Sequence, residues 1–356
     1  MKEYLAIGLM SGSSLDGIDL VLTRLVNEGE QYRYTILDAE TLDYPKVWRD
    51  RLSNAFHCKP EAIKTLDLEY GDYLGQCVHA FVKKRNAHPD FVASHGHTIF
   101  HKPAQRYTLQ IGDGQAIANR CHILTINDFR SEDVQKGGQG APLVPIGDRL
   151  LFSNYEFCLN IGGIANISYE ENGQRIAYDI CIANQALNWL AQREGYDYDR
   201  DGLLARSGHV NPTLLDALNN HIYFQHTPPK SLGREFFEEH QIRLLEHETT
   251  ANMLATFTEH IAFQIAQAVS NRPSGKILVT GGGAHNAYLI KRIQQHTKHE
   301  VIVPDSQTID YKEALIFALL GMLRLEGRTN VLSSVTGAPS DSCSGQVWKP
   351  QTDTQQ

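Results

Sequence analysis

The chain carries the same strand–turn–strand pattern near its start and again near its middle. In the first copy, apolar stretches at 4–10 and 18–25 flank a loop of small residues. In the second copy, apolar stretches at 155–161 and 164–170 flank Gly162-Gly163. A turn and a third strand pattern follow each copy, at 34–38 and at 175–180. Apolar strands that turn back through small residues are typical of antiparallel hairpins. The repetition therefore predicts two related domains, each beginning with an antiparallel unit.

The turns of both hairpins suit a phosphate group. The first contains Gly12, Ser13 and Ser14, and the second contains Gly162 and Gly163. Small residues allow close approach of the backbone and leave N–H groups bare, and a cluster of bare N–H groups binds phosphate. We expect the two hairpins to face each other and to hold a polyphosphate between two domains.

Length, charge and cysteine usage favour a two-domain cytoplasmic protein that neither binds nucleic acid nor spans a membrane. At 356 residues the chain is longer than one hydrophobic core normally supports, which favours two domains. Its net charge of −8 offers no basic surface for nucleic acid or for an anionic membrane. No apolar stretch reaches the ~20 residues that span a bilayer, and the first residues lack the charged and apolar blocks of a signal peptide. Six scattered cysteines, without a C-x-x-C pair, are typical of reduced thiols in a cytoplasmic protein.

Helical and strand patterns alternate along the rest of the chain. The spacing of apolar residues predicts helices at 62–84, 183–193, 252–271, from 288 and at 312–325, and strands at 90–94, 123–126, 276–280 and 300–303. This alternation is typical of an α/β fold. We place one domain at 1–126 together with 335–356 and the other at 127–334, around a central nucleotide cleft.

The glycine-rich turns narrow the choice of nucleotide motif. The sequence G-x-x-x-x-G-K-[ST] is absent, which excludes the P-loop class. Gly281–Gly283 lies between a predicted strand and a predicted helix, but Asn286 stands where the dinucleotide fingerprint needs a small residue. Glycine turns at three strand ends favour instead a two-domain kinase that holds ATP between paired hairpins.

Six motifs, in order along nearly the whole chain, resemble those of the anhydro-N-acetylmuramic acid kinases. They are GLMSGSSLDGID at 8–19, SHGHT at 94–98, NDFR at 127–130, GGQGAP at 137–142, NIGGIANI at 160–167 and GGGAHN at 281–286, and the match ends with VTGA at 335–338. The resemblance implies an α/β fold of the sugar kinase, Hsp70 and actin type (ribonuclease H-like), with ATP and Mg²⁺ as cofactors and a homodimer as the assembly. It also implies that water opens the 1,6-anhydro ring of anhydro-N-acetylmuramic acid while O6 takes the γ-phosphoryl group. The product would be N-acetylmuramic acid 6-phosphate, in cell-wall recycling.

Asp179 is the candidate general base. It ends the third strand pattern of the second copy, and the resemblance points to the same residue because the family motif there begins with Asp. The alternative is a carboxylate that only stabilises the N-terminus of the helix at 183–193. The family usually reads Asp-Thr-Gly-Pro-Gly-Asn here, whereas this chain reads DICIAN at 179–184. Bulkier residues exclude positive φ and close backbone approach, so the sequence leaves open whether this loop changes the substrate or the activity.

The remaining nucleotide contacts follow from the motif positions. Gly12, Ser13 and Ser14 would donate to the γ-phosphate, Gly162 and Gly163 to the β-phosphate, and Gly281, Gly282 and Gly283 would line the adenosine. Asp16 would hold Mg²⁺ through a water molecule, since this ion prefers carboxylate oxygen near phosphate. The alternatives are empty hairpin turns and, for Asp16, a carboxylate that caps its own turn.

The sugar contacts are expected from four polar residue types. Arg130 would pair with the planar lactyl carboxylate, unless it forms a salt bridge with Asp128 or Glu132. Glu313 would hydrogen-bond the sugar, or else supply negative charge at a helix N-terminus. The resemblance adds His95, His97 and Asn184.

Two other kinds of function remain open from the sequence. His95 and His97, with His101 nearby, have an H-x-H spacing that places two imidazoles on one strand face, which would suit zinc, as in a metal hydrolase. No carboxylate follows at ligand spacing, however, and the resemblance places this segment in the sugar pocket. The altered loop at 180–183 would also suit a nucleotide-gated sugar sensor or a kinase for another anhydrosugar, since one fold serves several functions.

Overall fold

The structure, a computed structural model, describes residues 1–12, 15, 17–29, 31–245 and 248–351. The chain forms two compact units, Met1–Leu151 with Tyr311–Gln356 and Phe152–Asp310. The boundaries predicted at 126/127 and 334/335 differ from these, because residues 127–151 and 311–334 belong to the first unit. One reason is that helix residue Ala314 packs directly against Gly8 in the first strand of that unit.

The first unit is built on a six-stranded sheet. Its first three strands form an antiparallel meander, and two further strands add in parallel to the first of them. The strands are β1 (Lys2–Ser11), β2 (Ile18–Asn27), β3 (Tyr32–Leu42), β4 (Phe91–Ser94), β7 (Leu124–Asn127) and β13 (Gln346–Trp348), in the order β13-β7-β4-β1-β2-β3. A separate two-stranded sheet consists of β5 (His97–Lys102) and β6 (Tyr107–Ile111).

The second unit is built on a five-stranded sheet of the same plan. Its strands are β8 (Phe157–Ile161), β9 (Ile164–Glu171), β10 (Gln174–Ile182), β11 (Lys276–Thr280) and β12 (Glu300–Ile302), in the order β10-β9-β8-β11-β12. Again three strands form an antiparallel meander, and two add in parallel to the first of them.

The two sheets therefore share one topology. Strands β1, β2, β3, β4 and β7 correspond in order and direction to β8, β9, β10, β11 and β12, and β13 is an extra antiparallel edge strand of the first unit. This correspondence confirms the predicted α/β fold class with two related units.

Helices surround both sheets. In the first unit they are α1 (Lys46–Asn54), α2 (Pro60–Arg85), α3 (Gly114–Cys121), α4 (Ser131–Gln135), α5 (Val144–Leu151) and α13 (Ser333–Thr336). In the second they are α6 (Asn184–Gln192), α7 (Leu203–Ser207), α8 (Pro212–Asn219), α9 (Arg234–Phe236), α10 (Thr250–Val269) and α11 (Ala287–His296), and α12 (Ser306–Leu325) carries the chain back into the first unit. Short 3₁₀ turns lie at Ala55–His57, Pro103–Gln105, Arg200–Gly202, Ile222–Gln225, Ile242–Leu244 and Gly282–His285, and a π turn lies at Phe237–Gln241.

Each unit has its own hydrophobic core. In the second unit, α10 lies at the centre, with Leu254, Phe257, Ile261 and Ile265 fully buried. These four residues have the spacing of one helix face, so their burial confirms the helix predicted at 252–271. In the first unit, α2 packs its apolar side onto the meander and α3. Burial of these faces removes apolar surface from water and holds the strand ends in place.

The predicted strands and helices are confirmed to within about four residues at their ends, except that α12 begins at Ser306, six residues before the predicted start at 312. The sequence patterns did not predict the β5–β6 hairpin or the short helices α3, α4 and α5. Among the described residues, none of the helices has both the length and the apolar character needed to cross a membrane. The six cysteines are free.

Candidate functional site

In the first unit, the predicted phosphate hairpin begins where β1 ends at Ser11. The buried Ser11 hydroxyl lies 2.8 Å from that of Tyr44 and 2.7 Å from that of Tyr70, and the two tyrosine hydroxyls are 2.5 Å apart. This network fixes the strand end next to Gly12. The predicted ligands Ser13, Ser14 and Asp16 lie outside the described residues.

His95 and Arg130, both predicted to bind the sugar, are in direct contact. Arg130 donates from Nε (3.1 Å) and Nη2 (2.9 Å) to Nε2 of His95. Because a guanidinium only donates, the acceptor nitrogen carries no proton and His95 is neutral, with its proton on Nδ1. Burial, together with the charge of Arg130, holds the pKa of His95 well below its usual value. His95 therefore serves as a neutral support for the arginine.

Arg130 is held from two sides and keeps spare donors. Its Nη1 donates to the carbonyl of Gly140 (2.8 Å), so one N–H remains on each terminal nitrogen. Two such groups are what a bidentate contact with a carboxylate requires. Burial lowers the pKa of Arg130 to about 10. Among the described residues, the alternative salt bridge of Arg130 with Asp128 or Glu132 does not form, since Glu132 pairs with Lys136 and Asp128 accepts from Gln346.

Glu313 lies in the second turn of α12 and is accessible to solvent. Crowding by surrounding protein raises the pKa of its carboxyl, and the charge of Asp19 acts in the same direction, while Arg130 acts against it. The adjacent Lys312 is buried and forms an ion pair with Asp148 (2.7 Å). The charges of Arg130 and Asp19 thus both act on the carboxyl of Glu313 in this unit.

His97 begins β5 and is buried, and burial lowers its pKa to about 4. Its ring is therefore neutral near neutral pH, and its Nδ1 has no hydrogen-bond partner among the described residues. The expectation that His95 and His97 share one strand face is wrong. Gly96 between them has φ +72°, in the left-handed region, and this breaks the alternation of side chains that a continuous strand would have.

The zinc alternative also lacks support from geometry. Nε2 of His95 already accepts from a cationic guanidinium, which would repel a metal ion. In the part of the chain that the structure describes, no group of three or more His, Cys, Asp or Glu side chains could hold a metal.

The glycine-rich loop at 137–142 is anchored by Asp133, which lies outside the family motifs, and by Thr336 of the motif at 335–338. The fully buried carboxylate of Asp133 accepts from the N–H of Gly140 (2.7 Å) and from the hydroxyl of Thr336 (2.8 Å). The N–H of Gln139 donates to the carbonyl of Thr336 (2.8 Å). The motif at 335–338 thus supports the loop at 137–142, and the loop in turn supports Arg130.

In the second unit, the turn between β8 and β9 has backbone N–H groups without hydrogen-bond partners among the described residues, as predicted. Neither N–H of Gly162 and Gly163 donates to another described group, whereas their carbonyls accept from the backbone N–H groups of residues 183–185. Neither glycine has positive φ, and an added Cβ would meet nothing nearer than 3.5 Å at Gly162 and 3.8 Å at Gly163. Protein packing therefore does not require glycine here, and open space remains for a ligand.

The three glycines after β11 differ in what requires them. Gly281 has φ +79°, and a Cβ on Gly283 would lie 2.2 Å from the side chain of Ile161. A Cβ on Gly282 would meet only the amide of Asn184, at 3.6 Å. The backbone conformation explains the glycine at 281, and close packing explains the glycine at 283. Gly282 faces open space.

Asn184 links the glycine turns of the second unit. Its backbone N–H donates to the carbonyl of Gly162 (3.0 Å), and its side-chain Nδ2 donates to the carbonyl of Ile161 (3.1 Å). It stands at the first position of α6. The structure thus brings Asn184 together with the predicted phosphate turn and with Gly282.

Asp179 lies near the end of β10 and is held through one oxygen. Its Oδ2 accepts from the N–H of Leu232 (2.9 Å), its own N–H donates to the carbonyl of Lys230 (3.3 Å), and its carbonyl accepts from the hydroxyl of Tyr223 (2.5 Å). Burial raises the pKa of Asp179, and the Leu232 contact acts against this. No other hydrogen bond to the carboxylate comes from the described residues, so Oδ1 is available. Sequence reasoning missed Tyr223, Lys230 and Leu232, which lie more than 40 residues further along the chain.

The altered loop at 180–183 faces the core. Ile180, Cys181, Ile182 and Ala183 are all buried and belong to the apolar cluster of the second unit. The pairing of β10 with β9 shifts its register between Asp179 and Cys181. At this β-bulge, burial of Cys181 raises its pKa far above the usual thiol value.

Comparison with known proteins agrees with the motifs. The family described as anhydro-N-acetylmuramic acid kinase matches residues 4–350. Proteins named anhydro-N-acetylmuramic acid kinase from Vibrio cholerae and Gloeobacter violaceus are 35% and 36% identical to this chain. The alignments cover 98% and 95% of this chain and 99% and 97% of those proteins, respectively. The protein of that name from Zymomonas mobilis is 36% identical, over 96% of this chain and 99% of its own length.

Each of these similarities extends over nearly the full length of both partners, and all of them name the same enzyme. This chain therefore belongs to the anhydro-N-acetylmuramic acid kinase family.

Proposed function

We propose that this protein is an ATP-dependent kinase that opens 1,6-anhydro-N-acetylmuramic acid with water and phosphorylates its O6. Water adds to the anomeric carbon, the bond from that carbon to O6 breaks, and O6 takes the γ-phosphoryl group as ADP leaves. The products are N-acetylmuramic acid 6-phosphate and ADP. The site residues and their roles below are part of the same proposal.

The observation that supports the proposal most strongly is that Asp179 has an available carboxylate oxygen and a raised pKa. One carboxylate oxygen is held by Leu232 N–H, the other is available, and burial raises the pKa of the group. A base whose pKa lies closer to the working pH accepts a proton from water more effectively than an ordinary aspartate. Asp179 would therefore take the proton of the attacking water as the new C–O bond forms.

The nucleotide contacts come from the glycine turns. The bare N–H groups of Gly162 and Gly163 fit a phosphate, and the open face of Gly282 fits the adenosine side of ATP. Gly12 at the end of β1 would serve the γ-phosphate, with Ser13 and Ser14. Such donors stabilise the charge that spreads over the transferring group.

The sugar contacts come from the Arg130 cluster. Its two remaining N–H groups fit the lactyl carboxylate, and the contacts from His95 and Gly140 fix the plane of the guanidinium. His97 is neutral and its buried Nδ1 has no described partner, so it suits a sugar hydroxyl. Glu313 and Asn184 would complete the hydrogen bonds to the ring.

Mg²⁺ would accompany ATP and neutralise charge on its phosphates. This ion is usually bound through one or two carboxylates together with substrate phosphates and water, so it needs no larger protein cluster. Its predicted ligand Asp16 lies outside the described residues. Asp19, at the start of β2, is a described carboxylate of suitable type in the same motif.

The cellular setting is inferred from family membership. We place the reaction in the cytoplasm, in the recycling of peptidoglycan fragments, and expect the enzyme to be a homodimer. Size-exclusion chromatography with light scattering would test the assembly.

The test is product analysis in ¹⁸O-labelled water with ATP, Mg²⁺ and 1,6-anhydro-N-acetylmuramic acid. The expected product is a phosphorylated sugar that carries the label at C1. A phosphorylated sugar without label would contradict the coupled ring opening. Binding of ATP and sugar without any product would instead favour a sensor, and turnover of only a different anhydrosugar would correct the substrate.

A further inference from the structure

We propose that Tyr223 and Lys230 are positioning residues that hold Asp179 so that one of its carboxylate oxygens faces the reacting water. This inference rests on the proposed role of Asp179 as the base. Neither residue lies in any of the motifs that led to the site.

β10 is an edge strand, so the backbone groups on its outer side have no neighbouring strand. At Asp179, both the backbone N–H and the backbone carbonyl form hydrogen bonds with the segment 223–232 instead. The N–H donates to the carbonyl of Lys230 (3.3 Å), and the carbonyl accepts from the hydroxyl of Tyr223 (2.5 Å). These two contacts fix the backbone at the position where the β-bulge begins.

The side chain of Lys230 packs against two aromatic rings. Its ammonium group lies 4.6 Å from the ring centroid of Tyr223 and 5.6 Å from that of Tyr178, and it donates to the carbonyl of Tyr223 (3.3 Å). No carboxylate among the described residues pairs with it. Cation–π contacts and one hydrogen bond thus tie the end of the segment to its beginning.

The segment 223–232 also contacts the carboxylate of Asp179. Leu232 follows Lys230 by two residues, and its N–H donates to Oδ2 of Asp179 (2.9 Å). If Lys230 releases the segment, this hydrogen bond is lost together with the two backbone contacts. The carboxylate would then rotate freely, and a reacting group misplaced by about 1 Å costs on the order of 100-fold in rate.

The titratable groups around Asp179 come from two elements. Tyr178 and Cys181 lie on β10 itself, and Tyr223 and Lys230 lie on the covering segment. Burial raises the pKa of both tyrosines and of the thiol, so these three groups stay neutral through the range in which Asp179 titrates. A change in the titration of Asp179 therefore reports on its own hydrogen bonds and on Lys230.

The experiment compares Lys230→Met, Lys230→Arg and Tyr223→Phe in the full chain. Lys230→Met keeps an unbranched chain but removes the charge, and Tyr223→Phe keeps the ring but removes the donor. We expect Lys230→Met and Tyr223→Phe to lower kcat by about 10–100-fold with little change in KM for ATP, and Lys230→Arg to recover part of the loss. Lys291→Met and Tyr196→Phe are the matched controls, because both residues are exposed in the same unit.

A second measurement does not depend on the reaction. In protein labelled with ¹³C at aspartate carboxyl groups, the Asp179 signal is assigned by its loss in Asp179→Asn and titrated by NMR. Loss of the Leu232 contact should raise the pKa of Asp179 in Lys230→Met and in Tyr223→Phe, because the charged form loses a donor. An unchanged pKa together with unchanged kcat would overturn the proposal, even if only one variant folds. If the wild-type protein made no sugar phosphate, the function would be wrong while the titration still decided the positioning role.

Discussion

At the scale of single residues, one amino-acid type serves different purposes within this site. Gly281 is required by its positive φ, and Gly283 by its contact with Ile161. Gly162, Gly163 and Gly282 have neither constraint, because a Cβ at each would make only ordinary contacts. Glycines that the fold does not need are the ones that a ligand would explain.

This difference predicts opposite effects for two alanine substitutions. Gly163→Ala should leave the free energy of unfolding within about 0.5 kcal/mol of wild type but weaken ATP binding, since the new methyl group fills the open space. Gly283→Ala should destabilise the protein by about 1–3 kcal/mol through overpacking against Ile161. Calorimetric ATP titration and urea unfolding of both variants check this. ATP affinity in Gly163→Ala equal to that of wild type would contradict the phosphate role of the turn.

Asp179→Asn should lower kcat for the sugar by about 10²–10⁴-fold, because an amide cannot accept the proton of water. Its near-identical shape should preserve the Leu232 contact through the side-chain oxygen, so binding of ATP should not change. Kinetics and ATP titration measure the two effects. Asp216→Asn, an exposed aspartate of the same unit, is the control. Full turnover by Asp179→Asn would remove this residue from the mechanism.

The raised pKa of Asp179 also predicts a pH dependence. The base must be ionised, so kcat/KM for the sugar should fall as the pH is lowered through the pKa of Asp179 in the folded protein. Burial places that pKa above the ordinary aspartate value of ~3.9, so the loss should begin at a higher pH than for a solvated carboxylate. A profile of kcat/KM from about pH 4 to pH 8 tests this. A flat profile down to the ordinary range would contradict the effect of burial.

At the scale of elements, the loop at 137–142 depends on a carboxylate outside it. Asp133 is fully buried and accepts from Gly140 and from Thr336. Asp133→Ala leaves both donors without a partner and should cost about 2–4 kcal/mol in the free energy of unfolding. It should also raise KM for the sugar, because Gly140 helps to hold Arg130. Urea unfolding and steady-state kinetics check the two effects.

The matched control for this loop is Glu132→Ala. Glu132 is the neighbouring residue in α4, and its pairing with Lys136 is solvent-exposed. Surface pairs of this kind contribute about 0–1 kcal/mol, so this variant should be close to wild type. Equal effects of the two substitutions would mean that the loop does not depend on Asp133.

At the scale of the whole molecule, buried neutral histidines predict sensitivity to acid. Burial lowers the pKa of His97 to about 4 and that of His260 to about 3, whereas histidine in an unfolded chain titrates near ~6.5. As the pH falls below the histidine pKa of the unfolded chain, these histidines become protonated in the unfolded state but stay neutral in the folded state. Each such histidine therefore costs about 1.4 kcal/mol of stability per pH unit, from ~6.5 down to its pKa in the folded protein.

His260→Gln is the variant that isolates this effect. Glutamine can still donate to Asn219, the partner of His260, but does not titrate. The fall in the thermal unfolding midpoint between about pH 7.5 and about pH 5 should be smaller in this variant than in wild type. His209→Gln, at an exposed histidine, should show the wild-type difference. If His260→Gln showed the wild-type difference as well, proton uptake at this residue would not explain the acid sensitivity.

Local pattern was sufficient for much of this fold. The alternation and spacing of apolar residues predicted both hairpins, α2, α10 and β11, because burial of a regular element imposes its own period on the sequence. The repeated meander was visible for the same reason. The domain boundaries could not be predicted in this way. Ala314 belongs to the first unit because it contacts Gly8, and no local sequence pattern indicates that contact.

By itself, the sequence determined the chemistry that the protein can offer: the bare glycine turns, the family motifs and the carboxylate at Asp179. Only the tertiary structure decided how that chemistry is arranged. In the folded protein, residues 180–183 are buried in the core. Arg130 donates hydrogen bonds to His95 and to the carbonyl of Gly140, and the N–H of Leu232 donates to Asp179. The physical reason is that hydrogen bonds and burial between residues far apart in the chain depend on packing, which leaves no periodic trace in the sequence.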